Sequence, residues 1–159
     1  MFAAALADGY TTRLVEPNDD LPVPTLLVAF DADDEGRERT LGISFMPFED
    51  GQFVATEFVQ FYVRLPFEVP AERRTEVQAA ATIVTASLAI GHFALRGDEL
   101  YYRYVLASPS GGVVDGNLLA ELVQLLDFHQ DRFADYLEGV VTDNISLRVL
   151  PQVLEASLA

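Results

Sequence analysis

Ala55-Thr56-Glu57-Phe58-Val59-Gln60-Phe61-Tyr62-Val63-Arg64-Leu65 is the stretch that decides the fold. Side chains on a strand alternate between its two faces. Val59, Phe61, Val63 and Leu65 therefore share one side, which is wholly apolar. Phe58, Gln60, Tyr62 and Arg64 share the other, which is mixed. This is the pattern of a long strand with one face on a core and the other partly available.

Upstream, three shorter runs carry strand signals. Thr11–Glu16 is rich in β-branched residues, Leu26–Phe30 is a continuous apolar run, and Thr40–Phe45 is a further strand. Pro17-Asn18-Asp19-Asp20, Asp31–Gly36 and Pro47 with Glu49-Asp50-Gly51 supply turns between them. Met1–Asp8 is Ala-rich, with Phe2 and Leu6 four apart, and reads as a short helix.

Downstream, Pro66 and Pro70 are expected to end the long strand. Pro70 then suits the start of a helix running from about Ala71 to Ile90, closed by Gly91. Val77, Ala81, Val84 and Leu88 form one apolar stripe on it. Ala79, Ile83, Ala86 and Ile90 form a second on nearly the opposite side. A surface helix needs one stripe, so two imply a helix sandwiched inside the domain or between two chains. His92–Arg96 and Glu99–Leu106 flank Gly97-Asp98, a hairpin signal. Leu100, Tyr102, Tyr104 and Leu106 share one face of its second strand; Tyr101, Arg103 and Val105 share the other.

Ser108–Gly112 reads as a loop, and Asp115 can cap a helix from Asn117 to about Val141. Leu118, Leu119, Leu122, Val123, Leu126, Phe133, Tyr136, Leu137 and Val140 make its apolar face. Asp127, Asp131, Asp135 and Glu138 line its back. Pro151 should break or restart any helix in the apolar tail. The expected architecture is an α+β two-layer sandwich, an antiparallel sheet packed on helices in α-β-β-β-α-β-β-α order. Residues 1–143 would form one domain and residues 144–159 a C-terminal apolar helical tail.

The 159 residues include 25 acidic and 10 basic ones, a formal net charge of -15. Such a body repels phosphate backbones and anionic lipid, which argues against nucleic acid and membrane surfaces as partners. All the basic residues are arginines, and cysteine is absent. No disulfide, thiolate nucleophile or cysteine zinc site can form. No apolar run is long enough to span a bilayer, and Met1–Leu6 lacks the basic flank of a signal peptide. The expectation is a cytoplasmic protein.

Catalytic signals are thin. Asp31-Ala32-Asp33-Asp34-Glu35-Gly36 matches the front half of a calcium loop, but Gly42 stands where the bidentate Glu belongs. The acidic stripe on the last helix reads as a solvated face. His129 lies at the edge of that helix's apolar face, where a histidine is more often a hydrogen-bonded core residue than a base. His92 is remote from it in sequence, and no nucleophile accompanies either. Neither an enzyme, a metal nor a cofactor is expected. The alternatives are a small regulatory or ligand-binding domain, or an enzyme using a pocket near His129.

Val84-Thr85-Ala86-Ser87-Leu88-Ala89-Ile90-Gly91-His92-Phe93-Ala94-Leu95, then Leu100–Leu106, then the helix from Leu118 to Leu137 together resemble the YbjN family. That domain is similar to type III secretion chaperones. The match covers Leu65 to Val141 and extends upstream only by element order. Thr82 and Thr85 stand where such sequences often carry Asn. The resemblance implies a non-enzymatic homodimer that binds a protein partner or client segment. The expected dimer contact is Ile83, Ala86 and Ile90 from the second stripe. The expected partner-binding residues are Phe58, Tyr62, Tyr101 and Arg103 on the mixed sheet face.

Overall fold

The computed structural model describes residues 2–7, 9–49, 52–112 and 114–158. It is an α+β fold. The elements run α1 (Phe2–Leu6), β1 (Thr11–Val15), β2 (Thr25–Phe30), β3 (Arg39–Phe45), β4 (Thr56–Glu68), α2 (Arg74–Thr85), β5 (His92–Arg96), β6 (Glu99–Pro109), α3 (Gly116–Val141) and α4 (Leu150–Leu158). The six strands form one antiparallel sheet in the order β1-β2-β3-β4-β6-β5. Four strands thus precede α2, one more than in the summary order expected. Met1, Asp8, Asp50 and Gly51 of the expected first helix and turn lie outside the described residues.

The chain divides into two compact units, Met1–Val63 with Tyr104–Asp127, and Arg64–Arg103 with Phe128–Ala159. β4 carries the alternation read from its sequence: Val59, Phe61, Val63 and Leu65 are all buried, while Arg64 is exposed. Each such burial contributes about 1.5–3 kcal/mol. In the first unit, β2 and β3 pair from Thr25↔Ser44 to Phe30↔Arg39, and β3 meets β4 from Leu41↔Val63 to Phe45↔Val59. β1 pairs with β2 and stands at the end of the strand order. Leu14 on it is 61% exposed. Asp115 caps α3 as expected, its Oδ1 accepting from the N–H groups of Asn117 and Leu118 at 3.0 Å.

β4 does not stop at Pro66; it continues to Glu68. Pro66 lies past Val63, where the ladder with β3 ends. A proline beyond a ladder forfeits no hydrogen bond on that side. The loop expected from Ser108 also begins later, because β6 runs to Pro109.

In the second unit, α2 is shorter than its periodicity suggests. A single 3-10 turn, Ala71–Arg73, precedes it, and it ends at Thr85 rather than Ile90. Two long-range bonds explain the end. The Thr85 hydroxyl oxygen accepts from the Phe93 N–H at 2.9 Å, and the Ile90 carbonyl accepts from the Tyr102 hydroxyl at 2.7 Å. A helix continuing to Ile90 would carry these groups away from β5 and β6. Gly91 is therefore no helix cap. It has φ +71° where the chain enters β5, and a Cβ there would run into the Tyr102 ring and lie 2.9 Å from the Arg103 carbonyl oxygen.

α2 buries one stripe, Val77, Ala80, Ala81 and Val84. Its second stripe is not sandwiched within the chain. Ala79 is exposed and Ile83 half-buried, and Ala86 and Ile90 lie beyond the helix end, exposed and half-buried respectively. The apolar tail becomes α4, with Pro151 in its first turn and Leu150 and Leu154 buried; it packs beside α2. Gly91→Ala is expected to destabilise by about 2 kcal/mol or more, through strain at positive φ and overlap with Tyr102. Urea unfolding followed by circular dichroism would measure it.

Candidate functional site

Phe58, one of the expected partner-binding residues, is half-buried on β4 and belongs to an aromatic cluster in the first unit. Its ring centroid lies 5.2 Å from Phe48 and 5.1 Å from Phe53, and those two are 4.8 Å apart. All three pairs are edge-on, with interplanar angles of 65–76°. This is the arrangement ring quadrupoles favour. The loop from β3 to β4 brings them together: the Met46 N–H donates to the Phe58 carbonyl at 2.8 Å, and the Gln52 N–H to the Glu49 carbonyl at 3.1 Å. Phe45 at the end of β3 stacks on Phe2 of α1 at 5.8 Å.

These rings line a cleft of about 360 Å³, together with Glu49 and Glu57. Phe45, Phe48 and Phe53 are exposed at between 43 and 50%, and the adjacent Val54 at 80%. Sequence reading found only Phe58 here. Phe48 and Phe53 sit in a connection with no period of their own, so periodicity is blind to them. The available signal was density: four phenylalanines between positions 45 and 58. Tyr62, on the same strand face as Phe58, lies opposite Gly42 and is half-buried.

In the second unit, Tyr101 and Arg103 alternate on β6 as expected, opposite Ala94 and His92. Both are half-buried. The His92 ring stands edge-on to Tyr101 at 6.4 Å, and the Arg96 guanidinium lies 5.8 Å from the Tyr101 ring centroid. Burial first, and the Arg103 charge second, hold the His92 pKa below its ordinary value. Tyr101 thus has His92 and Arg96 beside it, with Glu99 paired to Arg96 at 2.9 Å, and Phe58 sits beside carboxylates.

His129 is a core residue, as its position on α3 suggested. It is 3% exposed, and its Nδ1 lies 3.1 Å from the Tyr102 hydroxyl. That hydroxyl has one hydrogen, which it gives to the Ile90 carbonyl. His129 Nδ1 must therefore carry the proton and donate, leaving Nε2 bare in the neutral ring. Burial depresses the imidazole pKa. His129 lines neither the phenylalanine cleft nor the second cleft of the first unit described below.

Asp127 departs from the reading of a wholly solvated acidic stripe. Its side chain is partly covered and lies 3.4 Å from Arg39, which is 4% exposed. Arg39 also donates through Nε and a terminal nitrogen to the Asp31 carbonyl at 3.0 and 2.8 Å. Its guanidinium is 6.0 Å from the Phe30 ring centroid. Tyr10, Asp31 and Asp127 border the second cleft, of about 260 Å³. Burial, with the charges of Asp127 and Asp31, raises the Tyr10 pKa.

Asp31–Gly36 is a turn that uses its own acid internally. Asp33 accepts the N–H groups of Glu35 and Arg37 and the Arg37 Nε at 3.1, 2.8 and 2.7 Å. Burial pulls its pKa upward, but these bonds outweigh it and hold the carboxyl below its ordinary value. Among the described residues no cluster of three or more His, Asp or Glu side chains could hold a metal ion. No helix among them is long and apolar enough to cross a membrane.

No family model matches this sequence, and no curated protein matches it significantly.

Arg39→Met removes two bonds to the Asp31 carbonyl and takes a buried positive charge away from a half-buried Asp127. A loss of about 2–4 kcal/mol in unfolding free energy is expected. For His129 the sign of the pH effect follows from a folded pKa below the unfolded one. The unfolded chain takes up the proton first, so this stability is complete above the ordinary histidine range and is lost as pH falls through it. Unfolding midpoints measured from about pH 7.5 down to about pH 5 should decline. His129→Gln should flatten part of that decline, with His92 retaining the rest. An unchanged slope would contradict the buried neutral ring.

Proposed function

We propose that this chain is a non-enzymatic, chaperone-like protein-binding module that acts as a homodimer and holds a segment of a partner protein. The observation that carries the reading is the exposed apolar group Phe45, Phe48, Phe53 and Val54. Large apolar side chains gathered at one place and left in water are a marker of an interaction surface. Phenylalanine is among the residues enriched where proteins meet. The burial of His129, already bonded to Tyr102, weighs against the alternative of an enzyme that uses it as a base.

The homodimer part rests on less surface. Ala79 and Ile83 on α2, with Ala86 and Ile90 beyond its end, offer modest apolar surface, and a stable interface buries roughly 1,200–2,000 Å² in total. Neighbouring side chains would have to contribute most of that area.

Two measurements test the proposal. Light scattering after size exclusion should give twice the chain mass at micromolar concentration, and Ile83→Asp should give the single-chain mass with an unchanged circular dichroism spectrum. A wild type that is strictly monomeric removes the homodimer. Reduced insulin B chain should aggregate more slowly in the presence of the protein, and the double variant Phe48→Ser, Phe53→Ser should lose that protection. No protection by the wild type at any ratio removes the binding module.

A further inference from the structure

We propose that the cleft formed by Phe45, Phe48, Phe53 and Phe58 receives an arginine side chain of the partner segment, with Glu49 and Glu57 facing its guanidinium. This rests on the protein-binding reading and names the chemistry of the partner.

The faces of an aromatic ring carry negative electrostatic potential and its edge positive. Three rings packed edge-on, with centroids 4.8–5.2 Å apart, direct their faces along different axes. Phe48 and Phe53 remain partly open to solvent, so both rings are within reach of a ligand. The two carboxylates add formal negative charge at the same place, and no basic side chain is among the described residues lining the cleft. An apolar client side chain would satisfy the rings and leave the carboxylates with nothing. A small polar cation would satisfy the carboxylates and leave the rings wet. A long side chain with an apolar stem and a cationic head satisfies both.

Arginine fits better than lysine. Its guanidinium is planar and weakly hydrated, stacks on aromatic faces, and presents a fork of N–H donors to carboxylates. The cleft, at about 360 Å³, is of a size for one or two side chains rather than a folded element. The same pairing recurs inside the chain, with Arg39 at 6.0 Å from Phe30, Arg96 at 5.8 Å from Tyr101 and Arg132 at 5.6 Å from Phe128. A formal charge of -15 further favours a basic segment in the encounter.

The test compares the peptide acetyl-Ser-Leu-Arg-Val-Arg-Leu-Ser-amide with its counterpart in which citrulline replaces both arginines. Citrulline keeps the shape and removes the charge. Titrations of ¹⁵N-labelled full chain would be followed by amide shifts. Shifts centred on residues 45–58 are expected, with the citrulline peptide weaker by about fivefold or more at low salt. Glu49→Gln with Glu57→Gln should reduce that preference by about threefold or more while leaving the circular dichroism spectrum and unfolding midpoint unchanged. Equal affinity for the two peptides at residues 45–58 would overturn the arginine assignment and leave the binding module standing. So would an arginine preference undiminished in the double variant, or shifts centred elsewhere, on a second copy's contact for example. Absence of binding by either peptide, with insulin protection intact, would also overturn it.

Discussion

Alternate side chains of β4 withdrawn from water are the constraint on which the other elements depend. Val59, Phe61, Val63 and Leu65 each have essentially no exposed surface. A strand that buries one face completely cannot slip by one residue, because the slip would put Gln60, Tyr62 and Arg64 inside. Its register against β3 is thereby held, and β3 in turn orders β2 and β1. The opposite face of β4 carries Phe58, which joins the aromatic cluster instead of the core.

A second, more local constraint centres on the Tyr102 hydroxyl. It donates to the Ile90 carbonyl and receives the His129 Nδ1–H. Both contacts need the backbone at Gly91 to pass close to the ring, which only a residue without a Cβ allows. One hydroxyl thus ties the entry to β5, strand β6 and helix α3 within the second unit. The histidine that might have been a catalytic base is consumed in this network as a structural donor.

The parts of this fold that could be read from residues alone were those set by a local period. The two-residue alternation of β4, the hairpin around Gly97-Asp98 and the apolar stripe of α3 with its Asp115 cap are legible that way, although Leu118, counted in that stripe, is exposed. The end of α2 was not, because its sequence remains helical in pattern through Ile90. What stops it is the pull of Phe93 and Tyr102, bonds made to residues that follow later in the chain. Pro66 misled for a similar reason: whether a proline ends a strand depends on what lies beside it. The site was legible only at Phe58. Its companions Phe48 and Phe53 lie in a connection, and proximity there comes from how β3 and β4 close on each other. Asp127 was misplaced because a helical wheel does not show Arg39.

β1 has a wider consequence. It closes the strand order at one end, so among the described residues a row of backbone N–H and C=O groups has no ladder neighbour on that side. Its five residues Thr-Thr-Arg-Leu-Val have the branched, nearly uncharged character that invites another strand to zip alongside. Arg13 is the one charged residue among these five. The heavy surplus of carboxylates elsewhere then acquires a colloidal role: it keeps copies apart over distances of about 8 Å at physiological ionic strength. Dispersion of the molecule is in this sense delegated to its overall charge, because the border itself does little to discourage contact.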